Sequence, residues 1–311
     1  MNLSRPGRAI PAAIVAALLA GVASPPSAMA SPYSDINHAA ATAPITVHPL
    51  RGGVSMLEGS GGNIGVLAGP DGMLLADTGI AVSQAKIEAA LAGLSKGPIR
   101  YAVNTHWHWD HTDGNAWVHR AGAKIIAARN AGAHLQETLR VVEWEHTFTP
   151  VEHDARPGET LVAEKVIAMG GERVWVRPYR PGHTDGDLSV FFERANVLVT
   201  GDTLWNGVYP FIDYVGGGGI DGAIRAADAN LAMSGPETII IPGHGPIANR
   251  ADAQAFRNML VEIRRRVAAL KAQGKSLADV QAAKPTADYD GKWGRSIING
   301  ELFTALVYRG V

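Results

Sequence analysis

The stretch NTHWHWDHTDGN, Asn104 to Asn115, sets three histidines and two aspartates within the eight positions from His106 to Asp113. Crowding imidazoles and carboxylates is costly unless they are paired or bind a cation, so any fold that accepts this run must offset that cost. The residues before it, IRYAVNT, read as a buried strand, and Asn115 to Ala121 as a short helix. The cluster therefore sits in a loop at a strand end, where α/β proteins place chemistry. Alternation along an extended loop puts His106, His108 and Asp110 on one side and lets His111 point elsewhere.

Three more loops carry candidate donors: PGHTDGD with His183, GDT with Asp202, and PGHG with His244. Each follows a strand-like segment, and neighbouring glycines allow tight turns toward a shared centre. Imidazole with carboxylate suits Zn²⁺, with Fe or Mn²⁺ as alternatives. The chain has no cysteine, so thiolate ligation and disulfides are both excluded. Seven donors are too many for one tetrahedral ion and enough for two divalent ions per chain. A carboxylate between ions about 3.5–4 Å apart can bridge them.

Around these loops the chain alternates strands and helices. GGVSMLEG and NIGVLAGPDGMLLAD read as strands turning through Gly69–Gly72, and KIIAA, RVWVRPY, DLSVFFE, NVLVTGD and TIIIPGHG as further strands. Val82 to Ser95, Asn130 to Thr138, IDGAIRAADANLAM and Asp252 to Gln273 read as helices, the last with a Phe256, Leu260, Ile263, Val267 stripe. Arg264, Arg265 and Arg266 are expected on its solvated face. The pattern suggests two sheets packed together with helices outside.

HxHxDH followed in order by GH, GD and PGHG resembles the metallo-β-lactamase fold superfamily of hydrolases, from about Val47 to Asn249. The resemblance implies a four-layer αββα sandwich, two mixed sheets flanked by helices, with a dinuclear site at their lip. It implies that His106, His108 and His183 hold one metal, Asp110, His111 and His244 the other, and that Asp202 bridges them. The cysteine-type β-lactamases of that family place a thiol where Asp202 stands and a lysine where Trp205 stands, and lack an equivalent of His111. The all-histidine β-lactamases do not use a bridging aspartate. The bridge is more similar to the lactonase and thioesterase branches.

The expected chemistry is metal-activated water attacking a small carbonyl substrate: a lactone, a thioester or a β-lactam. Asp110 is the candidate proton shuttle. Tyr209 and Tyr214, after the GD motif, are candidate donors to substrate, with packing as the alternative. Asp77 is read either as orienting a ligand imidazole or as a helix cap, Asp185 and Asp187 as fixing their loop. His119, His134, His146 and His153 lack motif context and read as ordinary histidines. The Gly216–Gly219 run reads as a loop that shapes access or as a plain connector, and EGSGGN as a flap over the metals or, equally, a connector. The rivals are an iron-dependent oxidoreductase on the same fold, persulfide dioxygenase-like or di-iron, a phosphodiesterase, and a non-catalytic binding module.

The first 30 residues read as a leader. Arg5 and Arg8 precede a short apolar run, Ala9 to Ala23, and Ala28-Met29-Ala30 ends in small residues. Export to the periplasm or medium is expected, with cleavage after Ala30 and no membrane anchoring afterwards, because the run is short for a span. Residues 31–46 are expected as a loose lead-in and 47–311 as one hydrolase domain. A formal charge of -1 without a basic run argues against nucleic acid as a partner. Oligomeric state is left open.

Overall fold

The computed structural model describes Met1 and residues 31–311; the expected leader otherwise lies outside the described residues. Seven strands form the first sheet, in the order Thr46–Pro49, Val54–Glu58, Ile64–Gly69, Gly72–Ala76, Ile99–Val103, Lys124–Ala128 and Glu159–Leu161. Its first four strands pair antiparallel and the rest parallel. The second sheet orders Lys165–Met169, Glu172–Pro178, Leu188–Phe192, Val197–Trp205 and Ile239–His244, antiparallel except for the final pair.

Strand alternation builds the layers. In Gly72–Ala76, Leu74 and Ala76 join a core shared with Val174, Val190 and Ile240 of the second sheet. Met73 and Leu75, on the opposite face, pack with Ile87, Leu91 and Trp117 of the helices Gln84–Leu94 and Asn115–Arg120. Both faces are covered, so every residue of that strand is buried. A Cβ on Gly65 of the first sheet would lie 2.8 Å from Val199 Cγ2 of the second, which fixes how closely the sheets approach. The helices Ile220–Met233 and Arg250–Ala272 cover the far side, giving the expected αββα sandwich.

The helix Arg250–Ala272 starts at a capping box, Asn249 with Asp252, and buries Phe256, Leu260, Ile263 and Val267. Arg264, Arg265 and Arg266 pair with Asp221, Glu262 and Asp288, as a solvated face would. The helix read over Asn130 to Thr138 is shorter and earlier, Arg129–His134.

The loose lead-in is the clearest correction. Pro32–Thr42 is a helix, because Ser31 caps it, Pro32 occupies its first turn, and alanines favour its continuation. Lys86 Nζ donates to the carbonyls of Ala40, Ala41 and Ala43 at its end, at 2.6, 3.1 and 2.6 Å. Tyr33 stacks on His146 with centroids 3.6 Å apart.

Candidate metal centre

The seven donors expected from the four motifs converge at one edge of the sandwich. His106 and His108 leave the end of Ile99–Val103, and Asp110 and His111 lie in the short helix Trp109–Thr112. His183 is in the loop between Glu172–Pro178 and Leu188–Phe192, Asp202 in Val197–Trp205, and His244 at the end of Ile239–His244. They form two groups, His106, His108, His183 and Asp202 in one and Asp110, His111 and His244 in the other, with one donor atom from each residue within 4.8 Å of the rest of its group.

Asp202 faces both groups. Its Oδ2 lies 3.7 Å from His106 Nε2 and 3.4 Å from His183 Nε2, and its Oδ1 lies 3.1 Å from His111 Nε2 and 3.4 Å from His244 Nε2. His244 Nε2 is also 3.3 Å from Asp110 Oδ2.

The outer nitrogens of four imidazoles are tied back into the protein. His111 Nδ1 donates to Asp77 Oδ2 at 2.7 Å, and His108 Nε2 donates to Asp213 Oδ2 at 3.0 Å. His183 Nδ1 donates to the Phe211 carbonyl at 3.0 Å. His106 Nδ1 donates to Thr105 Oγ1 at 3.1 Å, whose own hydroxyl donates to Asp77 Oδ2 at 2.8 Å. In His106, His108 and His183 the inner nitrogen is thereby left as a lone pair directed at the centre. In His111, by contrast, although burial opposes a charge, the Asp202, Asp110 and Asp77 carboxylates hold the imidazole well above the usual histidine range. Asp77 thus takes the orienting role of its two readings, and also accepts from Thr105 N at 2.7 Å.

The donor chemistry fits cations. His183 Nε2 and His108 Nδ1 face each other at 3.1 Å, and His111 Nε2 and His244 Nε2 at 3.3 Å, with no proton left for either nitrogen of the first pair to donate. Among the described residues, His106 Nε2 and Asp202 Oδ1 are buried without a hydrogen-bond partner, an arrangement that costs stability unless a cation fills it. Burial lowers His183 to about 4 and, with the neighbouring imidazoles, takes His106 well below the usual histidine range, so both are neutral at neutral pH, the form a cation requires. Burial also opposes a charge on His244, but the Asp202 and Asp110 carboxylates override it and raise that imidazole to about 9. That is the mark of a negative potential that a bound cation would answer.

Glycines make room. A Cβ on Gly62 would sit 2.5 Å from His111 Nε2, and one on Gly243 would sit 2.0 Å from Asp202 Oδ1. The Gly216–Gly219 run is packed, the plain connector of its two readings: a Cβ on Gly218 would meet the His183 carbonyl at 2.0 Å. EGSGGN does border the site, with Gly59, Ser60 and Gly61 lining the adjoining cavity.

Tyr209 and Tyr214 are corrected. Tyr209 is fully buried, stacks on Phe303 at 4.7 Å, and donates to Asp290 Oδ1 at 2.9 Å. Tyr214 donates to the Leu306 carbonyl at 2.7 Å. Both hydroxyls are occupied holding the C-terminal helices, the packing alternative. Asp185 and Asp187 fix their loop as expected: Asp185 Oδ1 is 2.8 Å from His134 Nε2, and Asp187 Oδ1 accepts from Thr184 Oγ1 at 2.6 Å. Asp213 went unread in the sequence, although a lone acid inside the apolar run YPFIDYV is a sign of a buried role. It also accepts from Trp107 Nε1 and Gly216 N, and although burial works against its charge, these bonds and His108 hold it at about 2.

A sequence profile described as the metallo-beta-lactamase superfamily matches residues 57–244. A hydroxyacylglutathione hydrolase of Polaromonas sp. is 28% identical over 162 residues, 51% of this chain and 54% of that protein. The chain spans about half the length of such curated relatives. Among solved structures, a stereoselective inverting sec-alkylsulfatase from Pseudomonas sp. aligns with TM-score 0.64 at 18% identity, over 89% of this chain and 51% of that one. A metallo-beta-lactamase from Pontibacter korlensis aligns with TM-score 0.56 at 18% identity, over 70% of this chain and 99% of that one. At these identities the two structures speak for the fold.

Proposed function

This chain belongs to the metallo-beta-lactamase superfamily, and we propose that it is a dinuclear metal-dependent hydrolase of a small carbonyl compound. In this reading His106, His108 and His183 would hold one cation and Asp110, His111 and His244 the other, and Asp202, which faces both groups, would serve both. Zinc is the favoured ion for five imidazoles and two carboxylates. The observation that carries the reading is that the two oxygens of Asp202 face two different imidazole groups at 3.1 to 3.7 Å.

Bound cations would acidify a water and polarise the substrate carbonyl. The protein's own groups do the rest. Asp77 and Asp213 hold His111 and His108 in the tautomers that ligate. Asp110 borders the cavity; although burial disfavours its charge, His111 and His244 keep its carboxyl below the usual range, and so ionised. It takes up the proton that the attacking water releases and returns it to the leaving group. Relatives described as hydroxyacylglutathione hydrolases favour a thioester among the acyl bonds.

The test is a panel of thioester, lactone, β-lactam and phosphodiester on zinc-loaded protein. The reading expects acyl hydrolysis that a chelator abolishes. Turnover of the phosphodiester alone, or iron with oxygen uptake, would contradict it.

A further inference from the structure

The cavity beside Asp110 and Asp202 has a volume of about 380 Å³ and walls of one character. Trp109, Trp144, Trp205, Phe211, Ile36 and Ile297 line it above the carboxylates and imidazoles, and the hydroxyl residues Ser60 and Ser296 interrupt them. The indole N–H groups of the three tryptophans are themselves buried, so the walls offer ring carbon rather than donors. Among the described residues, no lysine or arginine lines it. Arg295, next along the chain to Ser296, is exposed and is not part of the wall.

Any part of a substrate that does not reach the catalytic floor must therefore settle against aromatic and aliphatic carbon. A carboxylate or sulfate buried there would lose its water without gaining a counter-charge from the wall. The two isoleucines come from outside the segment that the family profile matches, Ile36 from the N-terminal helix and Ile297 from the loop before the last helix. Ile297 is 50% exposed, a large apolar side chain left open at the mouth.

We infer that the site takes an uncharged acyl compound whose non-reacting part is aliphatic or aromatic, gripped between Trp144, Phe211, Ile36 and Ile297. This rests on the acyl-hydrolase reading for the reaction, and on the cavity alone for the class of ligand.

Binding is read first, without turnover. Metal-loaded protein is titrated with N-butyl-, N-pentyl- and N-hexylacetamide, and with 6-acetamidohexanoic acid, following indole emission. Affinity should rise about fourfold per methylene, the ratio that burial of one CH₂ gives. The carboxylated probe should bind at least tenfold more weakly than N-hexylacetamide. Ile297→Ser should flatten the ladder, whereas Arg295→Ala should leave it unchanged. A ladder that is flat in the parent protein, or tighter binding of the carboxylated probe, would overturn the inference. The same ladder is then measured as kcat/KM on neutral thioesters. A binding ladder without turnover of any of them would remove the hydrolase reading and leave the ligand class standing.

Discussion

His111 Nδ1 donates to Asp77 Oδ2 at 2.7 Å, and the aspartate reaches it from a left-handed backbone conformation with φ 71°. Non-glycine residues are sparse in that region, and Asp and Asn are among the few that tolerate it. The strain is held in place because Asp77 also accepts from both the amide and the hydroxyl of Thr105. One carboxylate thereby orients His111 directly and His106 through Thr105.

Asp77→Asn keeps the backbone conformation and the shape but loses the charge. It should lower cation affinity by about 10- to 100-fold, in the range of changes to groups that orient ligands. Competition with a chromophoric chelator measures this. Unchanged affinity would mean that the hydrogen bond does no orienting.

Gly62→Ala would drive a Cβ to 2.3 Å from His111 Cε1. Displacing that ring should reduce turnover by about 100-fold, the scale of an ångström misplacement. Gly93→Ala serves as its control, because no atom of the described residues lies within 4 Å of the added Cβ and the position is inside a helix. It should raise stability by about 0.5–1 kcal/mol in urea melts without changing turnover.

Tyr209→Phe should keep kcat and KM within about twofold, since the hydroxyl points at Asp290. It should cost about 1 kcal/mol of stability for the lost hydrogen bond. A large loss of kcat would restore Tyr209 as a substrate donor.

Burial pushes the Asp187 carboxyl from 3.8 up to about 8, against the hydrogen bonds from Thr184. Between those values the folded protein holds a proton that the unfolded chain has released. This contribution to stability is therefore full below about pH 4 and lost as pH rises through 8. Asp187→Asn should flatten that decline in cation-loaded protein, measured as urea midpoints at pH 5, 7 and 9. Parallel profiles for both proteins would contradict it.

The layers were legible because strands covered on both faces leave short apolar runs, and the long helix because its stripe repeats at helical spacing. The donor residues were legible because short loops with glycines announce them. What escaped were relations made by folding. Asp213 lies 105 positions from the His108 ring it supports, and Ile36 and Ile297 reach one cavity from opposite ends of the chain. The N-terminal helix was hidden by composition, since alanine and histidine give no apolar stripe, and its anchorage by Lys86 is a tertiary contact. Tyr209 misled through proximity in sequence: the strand carrying Asp202 ends at Trp205, and the chain then turns into the core.

If the four loops assemble a site for two water-activating cations, turnover must depend on metal at a fixed stoichiometry. Metal-stripped protein is titrated with zinc while thioester hydrolysis and bound metal are followed together. Turnover should be absent at zero zinc, saturate at two zinc per chain and fail to recover in Asp202→Ala. Saturation at a single ion, or turnover that survives stripping, would contradict the two-cation site.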